Sequence, residues 1–534
     1  MAKSKEQNYL HGAAILTAGV IIMKILGAIY KIPIKNMIGD DGYALFLSAY
    51  NVYSLFLTLA TAGLPVALSR MISEARTNGR PLQARRTFSV AWTAFFVLGL
   101  ICSLIMFLFP EWLAGSLHNP DTALSIKVLS PSVLLVCLIS AYRGYCQGYE
   151  NMIPTTVGQV IEVLAKVIVG LALAGYVLHL GYDKPEASAG AIFGVTVGSA
   201  VCLAYMMIYK KRNYSDEAVS SPDVPDESGK ILKDLIRIGI PIALGSIVLS
   251  LINLLDSSLC MGRLQDAAGF SYSEAKVLYG VYGAAQTLFN VPAAFITPLT
   301  ISVVPAIAGY IANQSYAAAS KVAEDSLRIS TALALPMAVG LSVMSFPIMN
   351  VVYPDSHEAG SMLLCLLGVA SFFVCFSLMT TAILQAQGKE KLTMYSIIAG
   401  GLVKIAVNWF LVAIPSVNIL GAPIGTIGCY VTMCVLNLIF MCSGNGLKPN
   451  IGNVFARPVL ASAIMGAVTY AVYYAAGCIL PGDGRMSMAL SLCAAVAVAM
   501  LVYLVAIVKL RAITAEDMKL IPKGEKIAKL LRMK

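Results

Sequence analysis

The chain has 534 residues, of which 58% are hydrophobic and 12% are charged, and its mean hydropathy is +0.78. A soluble domain carries about 25% charged residues, so the composition excludes an ordinary soluble protein and predicts an all-α integral membrane protein. The formal net charge of +10 does not indicate a nucleic-acid partner, because the basic residues are spread between apolar segments.

Apolar stretches of about 20 residues are typical of transmembrane helices. The first is interpreted as a retained helix, not a signal peptide, because it continues past residue 30 and contains Lys24. We predict fourteen such helices, at roughly 10–37, 43–69, 88–110, 124–148, 154–180, 187–209, 232–261, 277–311, 326–350, 359–385, 392–414, 419–442, 455–480 and 487–510.

The distribution of lysine and arginine predicts the orientation. Most of them lie at the two termini and in the loops that join even-numbered to odd-numbered helices, such as Lys210, Lys211 and Arg212. Loops rich in lysine and arginine stay in the cytoplasm. We therefore expect a multi-pass protein of the bacterial plasma membrane with both termini in the cytoplasm.

A polar segment divides the chain. Residues 210–230, "KKRNYSDEAVSSPDVPDESGK", are rich in Pro, Ser and Asp and are interpreted as a flexible cytoplasmic linker. The predicted organisation is an N-terminal lobe (1–209), this linker (210–230), a C-terminal lobe (231–444), helices 13 and 14 (445–512) and a basic cytoplasmic tail (513–534). The tail either lies on the anionic inner leaflet or is simply solvated.

The two lobes contain an internal repeat. "CQGYENMIPTTVGQVIEVLAKVIVG" (146–170) and "AQGKEKLTMYSIIAGGLVKIAVNWF" (386–410) both place Gln-Gly before a helix with a lysine near its middle. Each lobe starts on the same side of the membrane. The halves are therefore predicted to be parallel and related by an axis along the membrane normal, as in some transporters.

The first predicted helix carries an unusual basic stripe, "MKILGAIYKIPIK". At about 100° per residue, Lys24, Lys31 and Lys35 fall within roughly 20° of one line. A charge at mid-membrane costs at least ~2.5–3.5 kcal/mol, so it indicates function by default. Lys24 and Lys31 are expected to line a water-filled cavity that binds substrate, whereas Lys35 is interpreted as an interfacial lysine.

Four further charges lie within the predicted spans of the repeat helices and helix 4. Glu162 and Lys166 are four residues apart in the order that favours an intrahelical pair, and we expect them to neutralise each other. Arg143 lies near the cytoplasmic end of helix 4 and is assigned a structural role. Lys404 has no acidic residue four positions before it and is predicted to line the substrate cavity.

The seventh and eighth predicted helices add polar candidates for the same cavity. Asp256 is interpreted either as the counter-ion of Lys31 or as a proton or sodium site, and Arg263 is placed at the rim. Gln286 and Asn290, four residues apart, put two amides on one helix face. The intramembrane charges are positive in sum, which favours an anionic substrate, and lysines suit phosphate as point charges.

Four stretches carry a resemblance to a known family: "KILGAIYKIPIKNMIGDDG", "AGLPVALSRMISEAR", "AYRGYCQGYENMIPTT" and "NLLDSSLCMGRL". Together with the fourteen-helix pattern, they resemble the MOP-superfamily flippases of Gram-positive bacteria. This branch contains the lipid II flippase MurJ and the proteins similar to stage V sporulation protein B.

The resemblance implies two six-helix lobes plus two C-terminal helices, around a cavity lined by helices 1, 2, 7 and 8. It also implies transport of undecaprenyl-pyrophosphate-linked sugars from the inner to the outer leaflet. Lys24 falls where Gram-negative relatives carry a functional arginine. Their charged residues on helices 2 and 8 are replaced here by Leu57, Ala62, Thr287 and Asn290, so those roles do not transfer.

The expected function is therefore a flippase for a lipid-linked oligosaccharide, with the peptidoglycan precursor lipid II as its expected cargo. Another envelope or spore glycan precursor, and a cation-coupled multidrug antiporter of the MATE group using Asp256, are the alternatives. No nucleotide-binding loop or metal cluster is seen, so we expect neither an enzyme nor a cofactor. A monomer driven by H⁺, Na⁺ or the membrane potential is expected.

Overall fold

The computed structural model describes residues 2–214, 223–443, 447–479 and 484–510. The side chains of residues 2–22, 24, 25, 28 and 60 are outside this description. The predicted basic tail, residues 215–222 of the predicted linker and the side chain of Lys24 therefore lie outside the described residues.

The described part of the chain is almost entirely helical. Its α-helices are α1 Ala2–Thr61, α2 Leu64–Thr77, α3 Pro81–Leu108, α4 Pro110–Ser116, α5 Ala123–Gly148, α6 Ile153–His179, α7 Lys184–Asn213, α8 Ser228–Asp266, α9 Tyr272–Phe289, α10 Val291–Ala312, α11 Tyr316–Val343, α12 Ser345–Val352, α13 Ala359–Ala386, α14 Glu390–Leu411, α15 Gly421–Cys442, α16 Ile451–Ile479 and α17 Arg485–Lys509. Proline occupies the first turn of α2, α3, α6, α7 and α10, where its missing N–H costs no helical hydrogen bond.

The all-α membrane fold predicted from the sequence is confirmed, but the count of fourteen spans is not. Within the described residues, thirteen helical stretches are long and apolar enough to cross a membrane. The first two predicted helices merge into one continuous stretch in this count, Ile29–Thr77. The predicted eighth helix is interrupted at Asn290, between α9 and α10.

A glycine marks the boundary between the first two predicted helices. Gly39 lies inside α1 with φ 75° and ψ −177°, a conformation that is essentially restricted to glycine. The chain then approaches α9 closely, because a Cβ added at Gly280 would collide with the backbone carbonyl oxygen of Asp40. The break in α1 is therefore combined with tight packing that only a glycine on α9 permits.

The chain divides into two compact units. Unit 1 comprises Met1–Gly262 and Ser271–Gly280, and unit 2 comprises Arg263–Phe270 and Val281–Lys534. Unit 1 is built around packing of α7 on α5 and α6, and unit 2 around packing of α13 on α11 and α15. Most of α8 belongs to unit 1 in this division, whereas the lobe boundaries drawn from the sequence stay a prediction.

Part of the predicted flexible linker, 210–230, is held against the start of α3. The carboxylate of Asp223 accepts hydrogen bonds from the backbone N–H groups of Leu82 (3.1 Å) and Gln83 (2.9 Å). These N–H groups belong to the first turn, which has no partners within its own helix. The side-chain oxygen of Gln83 also accepts a hydrogen bond from the backbone N–H of Asp226 (2.6 Å). This end of the linker is therefore docked.

Candidate anion-binding site in unit 1

Two lysines from different helices meet beside a tyrosine in unit 1. The Nζ of Lys31, on α1, lies 5.7 Å from the ring centroid of Tyr50, and the Nζ of Lys166, on α6, lies 5.4 Å from the same centroid. Lys166 also lies 5.0 Å from the ring of Tyr30. Both lysines are partly buried. Each ammonium group is placed to interact with the electron-rich face of a ring.

Neither lysine is neutralised by a carboxylate in the part of the chain that the structure describes. The ion pairs described in unit 1 use other basic residues, such as Lys35 and Arg143. The ammonium groups of Lys31 and Lys166 are close enough to repel one another. Repulsion between like charges is strong where water is scarce. The pair therefore forms a site whose electrostatics favour an added anion. We call Lys31, Lys166, Tyr30 and Tyr50 the dilysine site.

The rings of the dilysine site are held by their neighbours. The hydroxyl of Tyr30 donates a hydrogen bond to the carbonyl oxygen of Ala191 on α7 (2.7 Å), and its ring is fully buried. Phe46 packs between Tyr30 and Tyr50, with ring centroids 5.9 Å and 6.1 Å away. A Cβ added at Gly170 would crowd Tyr30, so this glycine makes room for the ring.

Lys35, which the sequence places at the membrane interface, is instead buried in an ion pair. Its Nζ lies 2.9 Å from Oδ1 of Asp40, and the two side chains are only 2% and 7% exposed. Asp40 directly follows Gly39, so the break in α1 brings the carboxylate back to the lysine. The three-lysine stripe is thus divided, since Lys35 has its own counter-ion.

The expected pairing of Glu162 with Lys166 is wrong. Oε2 of Glu162 lies 2.7 Å from Nη2 of Arg143, on α5, and the hydroxyl of Ser199, on α7, is 3.3 Å from Oε1. A guanidinium group binds a carboxylate better than a flexible ammonium group does. Arg143 therefore has its carboxylate partner within unit 1, and Glu162 is not the partner of Lys166.

Asp256 lies on α8 and is buried, with 6% of its surface exposed. The thiol of Cys260, one turn further along α8, lies 3.9 Å from its Oδ1. The neighbouring Ser257 accepts a hydrogen bond from the hydroxyl of Tyr279 (2.7 Å). Among the described residues no ion pair joins Asp256 to Lys31, so their pairing is not observed here.

The remaining predicted site residues lie in unit 2. Lys404, on α14, is buried at 7% exposure. The guanidinium carbon of Arg263 lies 4.2 Å from the ring centroid of Trp409, and its Nε donates to the carbonyl oxygen of that residue (3.2 Å). The side chain of Asn290 donates to the carbonyl oxygen of Gln286 (2.7 Å). The assignment of these residues to a substrate cavity stays a prediction.

The tyrosines of the dilysine site are absent from the sequence-based site. A signal for Tyr50 exists, because Tyr43, Phe46, Tyr50 and Tyr53 recur every three or four residues and so share one helix face. Nothing in the sequence places Lys166 beside that face, since the contact depends on packing between α1 and α6.

A helical architecture with many apolar spans and basic groups inside them is typical of polytopic membrane transporters. The family described as "Polysaccharide biosynthesis protein" matches residues 9–311, and the MatE family matches residues 241–410. The first match covers more than half of the chain. The chain therefore belongs to the polysaccharide biosynthesis protein family and has the fold of the MOP-superfamily flippases.

Individual relatives agree with this assignment. The lipid II flippase MurJ of Bacillus subtilis (strain 168) is 27% identical over 518 residues, which cover 93% of this chain and 94% of that protein. Stage V sporulation protein B of the same organism is 25% identical over 532 residues, covering 97% and 98%.

Solved structures show the same fold. The lipid II flippase MurJ in an inward closed conformation has a TM-score of 0.67 at 14% identity, covering 92% of this chain and 98% of that one. An inward-facing MATE multidrug transporter of the MOP superfamily has a TM-score of 0.64 at 15% identity, covering 80% and 97%. Because these relatives are transporters, the prediction that the chain is not an enzyme is confirmed.

Proposed function

We propose that the protein is a flippase that moves an undecaprenyl-pyrophosphate-linked oligosaccharide from the inner to the outer leaflet by alternating access. Lipid II is the expected cargo, and a different envelope or spore glycan precursor on the same carrier is the alternative. The single observation that carries the proposal is the dilysine site, in which Lys31 and Lys166 both approach the ring of Tyr50 and neither forms an ion pair with a carboxylate among the described residues.

The chemistry of the dilysine site suits a pyrophosphate. Two ammonium groups that repel one another lose that repulsion when a multiply charged anion lies between them, and low polarity strengthens the attraction. Flexible lysines act as point charges and can follow a moving phosphate. The ring of Tyr50, shared by both lysines, keeps them together when no anion is bound.

Two ion pairs of unit 1 support the sign of the cargo. Arg143 and Glu162 neutralise each other, as do Lys35 and Asp40. The charge that remains at the dilysine site is positive. A cationic drug would be repelled there, whereas a lipid-linked diphosphate would be attracted.

A MATE-type multidrug antiporter is the second candidate. The MatE family match at residues 241–410 includes Asp256, a buried carboxylate that suits a coupling proton or Na⁺. Cation-dependent efflux of a dye such as ethidium from proteoliposomes, lost in Asp256→Asn, would support this function and contradict ours.

We further propose that the protein acts as a monomer in the bacterial plasma membrane with both termini in the cytoplasm. The family resemblance and the distribution of lysine and arginine support this orientation. Transport would be driven by the membrane potential or by a gradient of H⁺ or Na⁺, without a bound cofactor.

The decisive experiment uses a bacterium depleted of its own lipid II flippase and expressing this chain. We would measure the fraction of lipid II exposed on the outer leaflet. We expect exposure to be restored by the wild type and lost in Lys31→Ala. The matched control is Lys184→Gln, which removes a lysine of the same unit whose side chain is 51% exposed and pairs with Asp41.

The two outcomes test the identity of the cargo and the role of the dilysine site separately. No restoration by a well-expressed wild-type protein would contradict lipid II as cargo and direct the same assay to other polyprenyl-linked glycans. Full restoration by Lys31→Ala would contradict the role of the dilysine site, whatever the cargo.

A further inference from the structure

A second basic site lies at one end of unit 1, away from the dilysine site. A cavity of about 530 Å³ is formed where α3 begins and where α5 and α7 end. We call it the tyrosine pocket. Its lining includes Arg85, Lys210, Lys211, Tyr145, Tyr149 and Tyr214. Its volume is in the range of small-molecule sites.

The pocket wall is an aromatic cluster with cations on its faces. The rings of Tyr145 and Tyr214 lie 5.5 Å apart, and those of Tyr149 and Tyr214 lie 4.7 Å apart. The Nζ of Lys210 lies 4.0 Å from the ring centroid of Phe88 and 4.9 Å from that of Tyr145. The cluster therefore holds Lys210 at the wall of the cavity.

The cations of the tyrosine pocket are not used in ion pairs within the described residues. Arg85, Lys210 and Lys211 contact no carboxylate there, and Arg85 and Lys210 repel one another. The start of α3 is not free to bind an anion itself, because Asp223 already accepts its first hydrogen bonds. An anion in the pocket would therefore bind side chains rather than a helix end.

A simpler explanation accounts for the charges but not for the cavity. Lysines at the end of α7 are favoured by the helix dipole and by the bias of basic residues toward the cytoplasm. Neither effect requires three cations to converge on one tyrosine-lined space. The convergence is what indicates a ligand.

We propose that the tyrosine pocket binds the phosphate-bearing headgroup of an anionic membrane lipid. The phosphate would lie between Arg85, Lys210 and Lys211. Met207 and Ile208 also line the pocket, and they are 50% and 54% exposed on the apolar surface of α7. This apolar rim suits the start of an acyl chain, which a free phosphate lacks. The site is separate from the cargo site proposed above.

The test compares the thermal unfolding midpoint of the full-length protein in detergent with short-chain phosphatidylglycerol or phosphatidylcholine of the same chain length. A ligand that binds only the folded state raises this midpoint. We expect phosphatidylglycerol to raise it by at least about 2 °C in the wild type. Phosphatidylcholine should leave the midpoint unchanged. The rise with phosphatidylglycerol should be lost in the double variant Lys210→Gln/Lys211→Gln.

The matched control is Arg212→Gln/Lys233→Gln, which removes the same charge from exposed positions outside the pocket. It should keep the wild-type response. Arg85→Gln serves as a second pocket variant, because Arg85 is exposed and its loss should not impair folding. It should weaken the response even if the double variant unfolds.

Three results would overturn the proposal. One is an equal rise with both lipids, and another is a response that persists in both pocket variants. The third is an equal rise with glycerol 3-phosphate or inorganic phosphate at the same concentration, which would identify a soluble anion rather than a lipid as the ligand.

Discussion

The helix pair α6–α7 in unit 1 and the helix pair α14–α15 in unit 2 share a plan but surround their lysines differently. Lys166 lies near the middle of α6 and Lys404 near the middle of α14. In both pairs the partner helix presents a glycine to the lysine backbone, Gly198 in the first and Gly425 in the second. The repeat seen in the sequence is therefore also a repeat of packing.

The surroundings of the two lysines differ in exposure and chemistry. Lys166 is partly exposed, faces two tyrosine rings and lies beside a second lysine. Lys404 is only 7% exposed, and Asn408, one turn further along α14, is fully buried. The repeat thus keeps the place of a lysine but not its surroundings, and this difference favours the proposal that Lys166 rather than Lys404 binds the cargo.

The largest effect should come from removing each lysine in turn. We expect Lys166→Ala to reduce lipid II exposure on the cell surface to background while the purified protein keeps its unfolding midpoint. Lys404→Ala should lower that midpoint, because it leaves a cavity in a packed helix pair, with transport per folded molecule retained. The reverse pattern would show that the lysine of unit 2 binds the cargo.

The glycines of the two pairs provide a stability test. A Cβ added at Gly198 would lie 2.5 Å from the carbonyl oxygen of Glu162, whereas one at Gly428 would meet only Val403 at 3.3 Å and Val407 at 4.0 Å. We expect Gly198→Ala to destabilise by about 1–3 kcal/mol and Gly428→Ala to change little. Equal midpoints of thermal unfolding would contradict the close packing of α6 on α7.

The ion pair between Arg143 and Glu162 occurs in the first helix pair, and α14 has Gly400 at the position corresponding to Glu162. Polar interactions between membrane helices average ~0.6 kcal/mol and reach ~1.7 kcal/mol. A double-mutant cycle with Arg143→Met and Glu162→Gln, read from unfolding midpoints, should give a coupling energy of about 1 kcal/mol. If the two substitutions change the free energy of unfolding additively, Glu162 has a different partner.

The smallest effect should come from the ring that both lysines share. Cation–π contacts contribute about 0.5–1 kcal/mol at exposed sites, so Tyr50→Leu should reduce transport a few-fold. Tyr50→Phe keeps the ring and should retain transport. If transport falls equally in both variants, the phenolic hydroxyl rather than the ring face supports the site.

The sequence pattern was sufficient to predict most helices, because a long apolar run forms a transmembrane helix whatever packs against it. The predicted boundary between the first two helices, between residues 37 and 43, coincides with the break at Gly39. Periodicity was insufficient at one point. The interruption at Asn290 comes just before Val291 and Pro292, where a proline could equally have produced a kink within one helix.

The site was only partly predictable for a related reason. The charge of Lys31 in an apolar run is visible in the sequence, and the prediction that it lines a substrate cavity needs no structure. The partner of Glu162 is not visible, because the local spacing favours Lys166 while the contact made in space is with Arg143 on another helix. Local rules fail here because three helices compete for one carboxylate.

The close approach of Gly280 to Asp40 has a consequence for how the protein is made. Unit 1 includes Ser271–Gly280, and the hydroxyl of Tyr279 accepts a hydrogen bond from the side chain of Asn51 (3.0 Å). Domains fold from the N-terminus as the chain emerges from the ribosome. The first half of this protein therefore cannot complete its packing until synthesis has passed the linker and the whole of α8. A gene divided at the linker would yield an unfinished first half.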